Sequence, residues 1–217
     1  MSRILIKFPT RARYSKAKEV INNYLSFAVN PEDIQVIVSV DQDDQPEKYV
    51  FTEPCVKVKV GLSNGKIDAV NRDMPDTSTF DILLLASDDM IPVVKGYDDI
   101  IRTKMNEHFP DGDGVLWFND GSQKNRLNTL VICGSKYYER FGYIYYPLYK
   151  SLWCDNEFTE VASILGKQVY FDMVIIKHDH PANNPNLKYD QLYEHNDKFF
   201  FADKNLYMRR RINNFRS

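Results

Sequence analysis

The pattern of apolar and polar positions divides the chain into alternating elements. Ile4-Leu5-Ile6 ahead of Phe8-Pro9-Thr10 predicts a short buried strand that ends in a proline turn. From Ser15 to Ala28, apolar residues at Ala17, Val20, Ile21, Tyr24, Leu25 and Ala28 recur with helical spacing. Ile34 to Val40 is a β-branched run that predicts a strand, and it leads into the acidic loop Asp41-Gln42-Asp43-Asp44. Val56, Val58 and Val60 alternate with Lys57 and Lys59, the pattern of a half-exposed strand. A helix to about Met74 follows Gly61–Gly65. Phe80 to Ala86 reads as a continuous apolar strand, Tyr97–His108 as a helix and Gly114–Phe118 as a strand.

The second part is less regular. Leu127 to Cys133 predicts a strand, Lys136–Phe141 a short helix, and Tyr143 to Tyr149 an aromatic loop that contains Pro147. Trp153 to Leu165 reads as a helix closed by Gly166. Val169 to Ile176 reads as one strand running into Lys177-His178-Asp179-His180-Pro181. From Pro185 onward the chain is polar and aromatic, with a terminal helix. Alternating strands and helices, with no internal repeat or low-complexity linker, imply one α/β domain around a mostly parallel sheet flanked by helices.

Composition narrows the function classes. The 217 residues carry 28 Lys+Arg against 30 Asp+Glu, a formal charge of −2, so a dedicated duplex nucleic-acid partner is not expected. Hydrophobic residues make up 43% and charged residues 27%, which excludes disordered, collagen-like and coiled-coil chains. Cys55, Cys133 and Cys154 are an odd, scattered set that forms neither a disulfide framework nor a zinc motif. The N-terminus lacks the apolar core of a signal peptide, and Ile82 to Ala86 is too short to span a bilayer. A soluble, cytoplasmic protein without a transmembrane segment is the expectation. Arg209-Arg210-Arg211 reads either as a solvated helix end or as a contact for anionic lipid or phosphate. Aromatic residues reach 13%, with 14 Tyr and 13 Phe, and this excess asks for a purpose.

The strongest chemical signal is Asp88-Asp89. An apolar run without alternation, such as Ile82–Ala86, is covered on both faces and sits mid-sheet. The two carboxylates follow its C-terminal end, where open α/β sheets bind ligands. Adjacent acids at the edge of a core are costly unless donors or a cation offset them. Mg²⁺ or Mn²⁺ held by one or two carboxylates commonly completes its shell with water and substrate phosphate. A metal-bridged diphosphate is one reading, and a Ser-Asp-Asp turn is the other.

Several segments in order resemble the GT-A nucleotide-sugar glycosyltransferases, most closely the family-2-like group, over roughly residues 3 to 180. Lys7-Phe8-Pro9-Thr10-Arg11-Ala12-Arg13 looks like the first strand and nucleotide loop. Val40-Asp41-Gln42-Asp43-Asp44 looks like the acidic base-binding loop, and Gly65-Lys66 through Ala69 and Asn71 like the Gly-Lys…Ala-x-Asn segment. Ser87-Asp88-Asp89 looks like the DxD-type motif, with Ser87 in place of the first acid, and Cys154-Asp155-Asn156-Glu157 like the acidic start of a late helix.

The resemblance implies a single-domain GT-A (Rossmann-like) fold. Residues 1–92 would form the nucleotide-binding half, 93–184 the acceptor and catalytic half, and 185–217 a C-terminal extension. It implies a hexosyltransferase-type enzyme that is metal-dependent and inverting. The donor would be a UDP- or GDP-type nucleotide-diphosphate sugar, and the acceptor a glycan or another hydroxyl compound. Pro9, Thr10, Arg11, Arg13, Asp41, Asp43, Lys66 and Asp88 would bind the nucleotide, although Arg11 and Arg13 also fit a solvated turn. Asp89 would ligate Mn²⁺ or Mg²⁺, with His178 and His180, which share a face on an extended segment, as further ligands.

The base would be Asp155 or Glu157. Two residues apart on a helix, they point different ways, and the family pattern favours Asp155. A helix N-cap is the other role for Asp155. Rings at Tyr145, Tyr146 and Trp153 would form an acceptor platform, and Trp117 and Asp120 would border the donor sugar, though rings in this segment equally suit core packing. Two other readings remain. One is a non-catalytic glycan- or protein-binding module on the same fold. The other is a sugar-nucleotide pyrophosphorylase, whose Gly-rich loop Phe8-Pro9-Thr10-Arg11-Ala12-Arg13 does not match.

Overall fold

The computed structural model describes residues 2–181 and 189–216. The first half holds β1 (Ile4–Thr10), α1 (Tyr14–Phe27), β2 (Ile34–Asp41), β3 (Val56–Gly61), α2 (Lys66–Asn71), β4 (Ile82–Leu85), β5 (Met90–Pro92) and α3 (Tyr97–His108). The second holds β6 (Val115–Phe118), β7 (Ile132–Gly134), α4 (Ser135–Glu139), α5 (Cys154–Ile164), β8 (Gln168–Phe171), β9 (Ile176–His178), α6 (Gln191–Asp197) and α7 (Phe200–Ile212).

Seven strands form one sheet in the order β3-β2-β1-β4-β7-β6-β8. Neighbours in β3-β2-β1-β4 run parallel, as do β6 and β8; β7 is antiparallel to β4 and β6. The sheet is mostly parallel, as expected. Alternation along each strand sorts the core. Ile4, Ile6, Phe8, Val36, Val38, Ile82 and Leu84 pack with Ala17, Val20 and Ile21 of α1 and Ile101 of α3. Leu5, Ile37, Leu83, Leu85 and Cys133 face the other way, against Ile67 of α2, Tyr137 of α4, Phe158 of α5 and Tyr207 of α7. Helices therefore cover both faces, and β4 is buried throughout. At the edge, β3 points Lys57 and Lys59 outward, which blunts further strand pairing.

Several boundaries differ from expectation, beginning with β1, which runs through Pro9 to Thr10 and does not end in a proline turn. Residues 169–176 do not form one strand. β8 pairs with β6, whereas β9 leaves the main sheet and pairs antiparallel with β5. The break follows Asp172, whose carboxylate accepts hydrogen bonds from Asn119 and Tyr170 and so ends the β8 ladder. Of 127–133, only the end is a strand, because β7 is limited by the short β4 and β6 beside it. α5 begins at Cys154, with Trp153 at its N-cap in the left-handed region (φ 63°), so Asp155 lies inside the first turn and does not cap it.

The C-terminal extension is also more than a solvated tail. Its first residues, 185–188, lie outside the described set. α7 packs on α5, and Arg210 is buried with both guanidinium edges on Glu157 at 2.8–3.1 Å. Of the arginine run, Arg209 and Arg211 are exposed, and Arg211 pairs with Glu160 at 2.7 Å.

Candidate functional site

The register Ile4↔Ile34 and Ile4↔Ile82 aligns the strands so that β1, β2 and β4 all end at one edge. Their last residues, Thr10, Asp41 and Leu85, line a cleft of about 680 Å³. This is where a parallel sheet presents backbone and loops to a ligand. α2, the start of α5, the β9 end and α6 supply the remaining walls.

The acidic pair sits at the back of the cleft. Asp88 and Asp89 are 4% and 7% exposed. Arg13 Nη1 donates to Asp88 at 2.8 Å, and burial pushes the Asp88 carboxyl up in spite of this cation. Asp89 accepts from the Ser87 hydroxyl and, at 3.0 Å, from Tyr193 Oη. Burial works to raise Asp89 as well, but the His178 imidazole 3.6 Å away holds it well below the usual carboxylate range. Pairing of Met90 with His178 in the β5–β9 ribbon brings the histidine there, and Asp179 N donates to the Asp89 carbonyl at 2.7 Å.

His178 Nδ1 is buried without a hydrogen-bond partner among the described residues, 4.0 Å from Asp120 Oδ2. Burial alone would lower His178; Asp89 outweighs it and raises the imidazole. His180 lies beside both, its ring 5.7 Å from His178 and 4.6 Å from Tyr193.

The loop after β1 is tied down by its own charges. Arg11 donates to Asp41 and Asp43 at 2.8 and 2.7 Å, so it braces the acidic loop. Arg72 donates to the other Asp41 oxygen at 2.8 Å and to the Val40 carbonyl at 2.9 Å. Ala12, between Arg11 and Arg13, takes a left-handed backbone (φ 58°), a strained geometry of the kind concentrated at binding loops. Lys66 opens α2 after Gly65, whose φ of +104° suits glycine alone, and its side chain faces the cleft.

Asp155 enters from the first turn of α5. It is half-buried, and its carboxyl is pushed up by burial, with Lys66 and the α5 backbone amides opposing the shift. The loop before α5 is fixed by Asp203 of α7, which accepts from the backbone N–H groups of Lys150, Ser151 and Leu152 at 3.0, 2.8 and 2.8 Å. Asn71 holds the aromatic loop, accepting from Ile144 N and Tyr145 N and donating to the Tyr145 carbonyl at 2.6 Å.

The cleft therefore brings together Pro9, Thr10, Arg11, Arg13, Asp41, Asp43, Lys66, Asp88, Asp89, Tyr145, Asp155, His178 and His180 of the expected residues. The others fall elsewhere. Glu157 is turned away and locked by Arg210 and Tyr149 Oη, at 2.8 Å each, so it is not available as a base. Tyr146 lies under the Arg210 guanidinium, 3.3 Å from its ring centroid. Trp153 packs on Tyr207 and Phe200, and Trp117 on Tyr170. Asp120 caps the 122–123 backbone and receives Thr129 Oγ1 at 2.8 Å; it backs His178 from outside the cleft. The ring-rich segment lines a separate cavity of about 550 Å³ that meets the cleft at Tyr145 and Cys154.

The α6 contribution has no motif of its own in the sequence. Asp190 caps α6, accepting from Leu192 N and Tyr193 N, and also receives Arg13 Nη2 at 2.7 Å. Arg13 lies over the Tyr193 ring at 4.5 Å. The only available signal was the run of polar and aromatic residues there.

No protein-family model and no curated protein matches this sequence. Solved structures do match in fold. One is a mannosyltransferase, PcManGT from Pyrobaculum calidifontis, in complex with GDP-Man and Mn²⁺. It superimposes with a TM-score of 0.63 at 14% identity over 84% of this chain. The chain has a GT-A fold. It spans 58% of that mannosyltransferase's length. S. aureus TarS 1-349 shares the GT-A fold with a TM-score of 0.60 at 17% identity, covering 91% of this chain and 69% of its own. The same protein in complex with UDP-GlcNAc matches at 0.59 and 16% identity, over 94% and 66% of the two chains. Among the described residues no helix is long and apolar enough to cross a membrane.

Proposed function

We propose that this cleft binds a nucleoside-diphosphate sugar and transfers the sugar to an acceptor hydroxyl. The carrying observation is the convergence of Asp89, His178, Lys66 and a half-buried Asp155 at the strand ends of a GT-A fold. One solved neighbour is in complex with GDP-Man and another with UDP-GlcNAc, which supports a nucleotide-sugar donor.

Asp89 and His178 suit a divalent cation, Mn²⁺ or Mg²⁺. A carboxylate oxygen and an imidazole nitrogen lie 3.6 Å apart, and the opposite imidazole nitrogen has no competing partner. Among the described residues no three His, Cys, Asp or Glu side chains form a cage, so the remaining ligands would be water and diphosphate oxygens. When bound, the cation supplies Lewis-acid stabilisation of the departing diphosphate. Arg13 neutralises Asp88, whereas Asp89 has hydroxyl donors from Ser87 and Tyr193 and no guanidinium, and would be the carboxylate that holds the cation. Asp41 and Asp43, fixed by Arg11 and Arg72, accept from the base. Lys66 adds positive charge between the diphosphate and Asp155.

Asp155 takes the acceptor hydroxyl's proton as the new bond forms, an inverting course. Its raised pKa brings its basicity closer to that of the task. Asp155→Asn should keep donor binding and lower transfer by about a hundredfold or more, the usual scale for a lost base. Equal transfer by the variant, measured by product release at saturating donor, would remove the role. The non-catalytic reading has one observation in its favour: protein donors already satisfy both Asp88 and Asp89.

A further inference from the structure

The outward face of α7 is not used by the cleft. At 3.6 residues per turn, Phe201, Met208 and Ile212 fall within about 40° of each other on the helix. They are 76%, 44% and 79% exposed. The opposite face is fully committed, with Asp203, Tyr207 and Arg210 buried against the loop before α5 and α5 itself. A scattered exposed apolar residue is ordinary, but three in register along one helix face form a stripe.

Charge frames this stripe. Lys204 and Arg209 stand about 60–80° to either side of it. Residues 198–216 hold six cations and a single acid, Asp203, which is buried. Arg210 is spent on Glu157 and Arg211 on Glu160. Lys198, Lys204, Arg209 and Arg216 have no carboxylate partner among the described residues, and the Lys204 ammonium lies over the Trp153 ring, 5.5 Å from its centroid. At the end of α5, Ile164 and Leu165 are 57% and 41% exposed and share a cavity wall with Phe215 and Arg216.

We propose that α7 docks the protein onto an anionic phospholipid surface, lying in the interface plane with Phe201, Met208 and Ile212 entering the headgroup boundary. An apolar stripe flanked by cations, on a helix that cannot span, is the interfacial pattern. The cations without a carboxylate partner select an anionic surface. A second copy packed on this face would set Lys204 and Arg209 against their own kind, an unfavourable juxtaposition. The inference does not depend on the donor chemistry.

The test is co-sedimentation of the full chain with vesicles of phosphatidylcholine alone or mixed with phosphatidylglycerol. The protein should pellet with the mixed vesicles, less with the neutral ones, and less as salt is raised. Lys204→Glu with Arg209→Glu should lose roughly tenfold or more of that binding. Phe201→Ser with Ile212→Ser should lose it on the same scale while keeping the wild-type melting temperature, because these side chains make few internal contacts. Failure to bind mixed vesicles, or undiminished binding by either double variant, would overturn the proposal. So would a concentration-dependent dimer, read by light scattering, that Phe201→Ser dissolves.

Discussion

Lys7 shows how one residue can carry a cost that local sequence does not reveal. It lies in the middle of β1 with no exposed surface, and its ammonium donates to Ser39 Oγ, which in turn donates to Asp73 at 2.7 Å. Burial lowers its pKa from 10.5 to about 7, with Asp73 opposing and Arg72 adding to the shift. The unfolded chain therefore holds a proton there across that window while the folded chain does not. This contribution should make stability rise with pH between about 7 and 10.5. Lys7→Met should flatten that slope in melting curves taken across the window; an unchanged slope would refute the assignment. Cys133 and Cys154 are opposite in kind: burial pushes both thiols up, the first to about 12, so neither is a thiolate at neutral pH. Serine at either position should leave transfer intact, and loss of activity on thiol alkylation of the native fold would contradict it.

At the scale of elements, α7 and the β5–β9 ribbon hold what β1, β2 and β4 present. Asp203→Ala would strand three backbone N–H groups of the loop that precedes Asp155. It should destabilise the fold by about 2–4 kcal/mol, and transfer should fall more than donor affinity. A variant with wild-type kcat would disconnect α7 from the proposed role of Asp155. Gly134 closes β7 against Gly112, where a Cβ would lie 2.1 Å from a carbonyl oxygen. Gly134→Ala should cost about 1–3 kcal/mol or more of stability, read by denaturant midpoint.

Much of this was legible in sequence because it is local. β4 reads as one apolar run, so Asp88 and Asp89 could be placed at its end, and α3 follows from its helical spacing. That Asp155 and Glu157 diverge follows from helical geometry; which one meets the cleft depended on Arg210, 53 residues away. Tyr193 reaches Asp89 across 104 residues, and no spacing encodes that contact. The division of 169–178 between two sheets was equally hidden, since Val169 to Ile176 reads as a single strand.

For the whole molecule, one sheet edge gathers the acids, and the C-terminal extension returns to close on them. Arg13–Asp190 and Tyr193–Asp89 tie α6 to the acidic pair, so the extension contributes directly to the cleft wall. The aromatic excess is divided between the two cavities and the core: Tyr145 faces the cleft, while Tyr146, Trp153 and Trp117 stabilise packing around it. The most direct measurement is calorimetric titration of the full chain with UDP-, GDP- and dTDP-sugars, with and without Mn²⁺, alongside Asp89→Asn. The cleft should take up at least one donor saturably, and both removal of Mn²⁺ and the substitution should weaken binding. If no nucleotide sugar binds under any condition, the cleft is not a donor site.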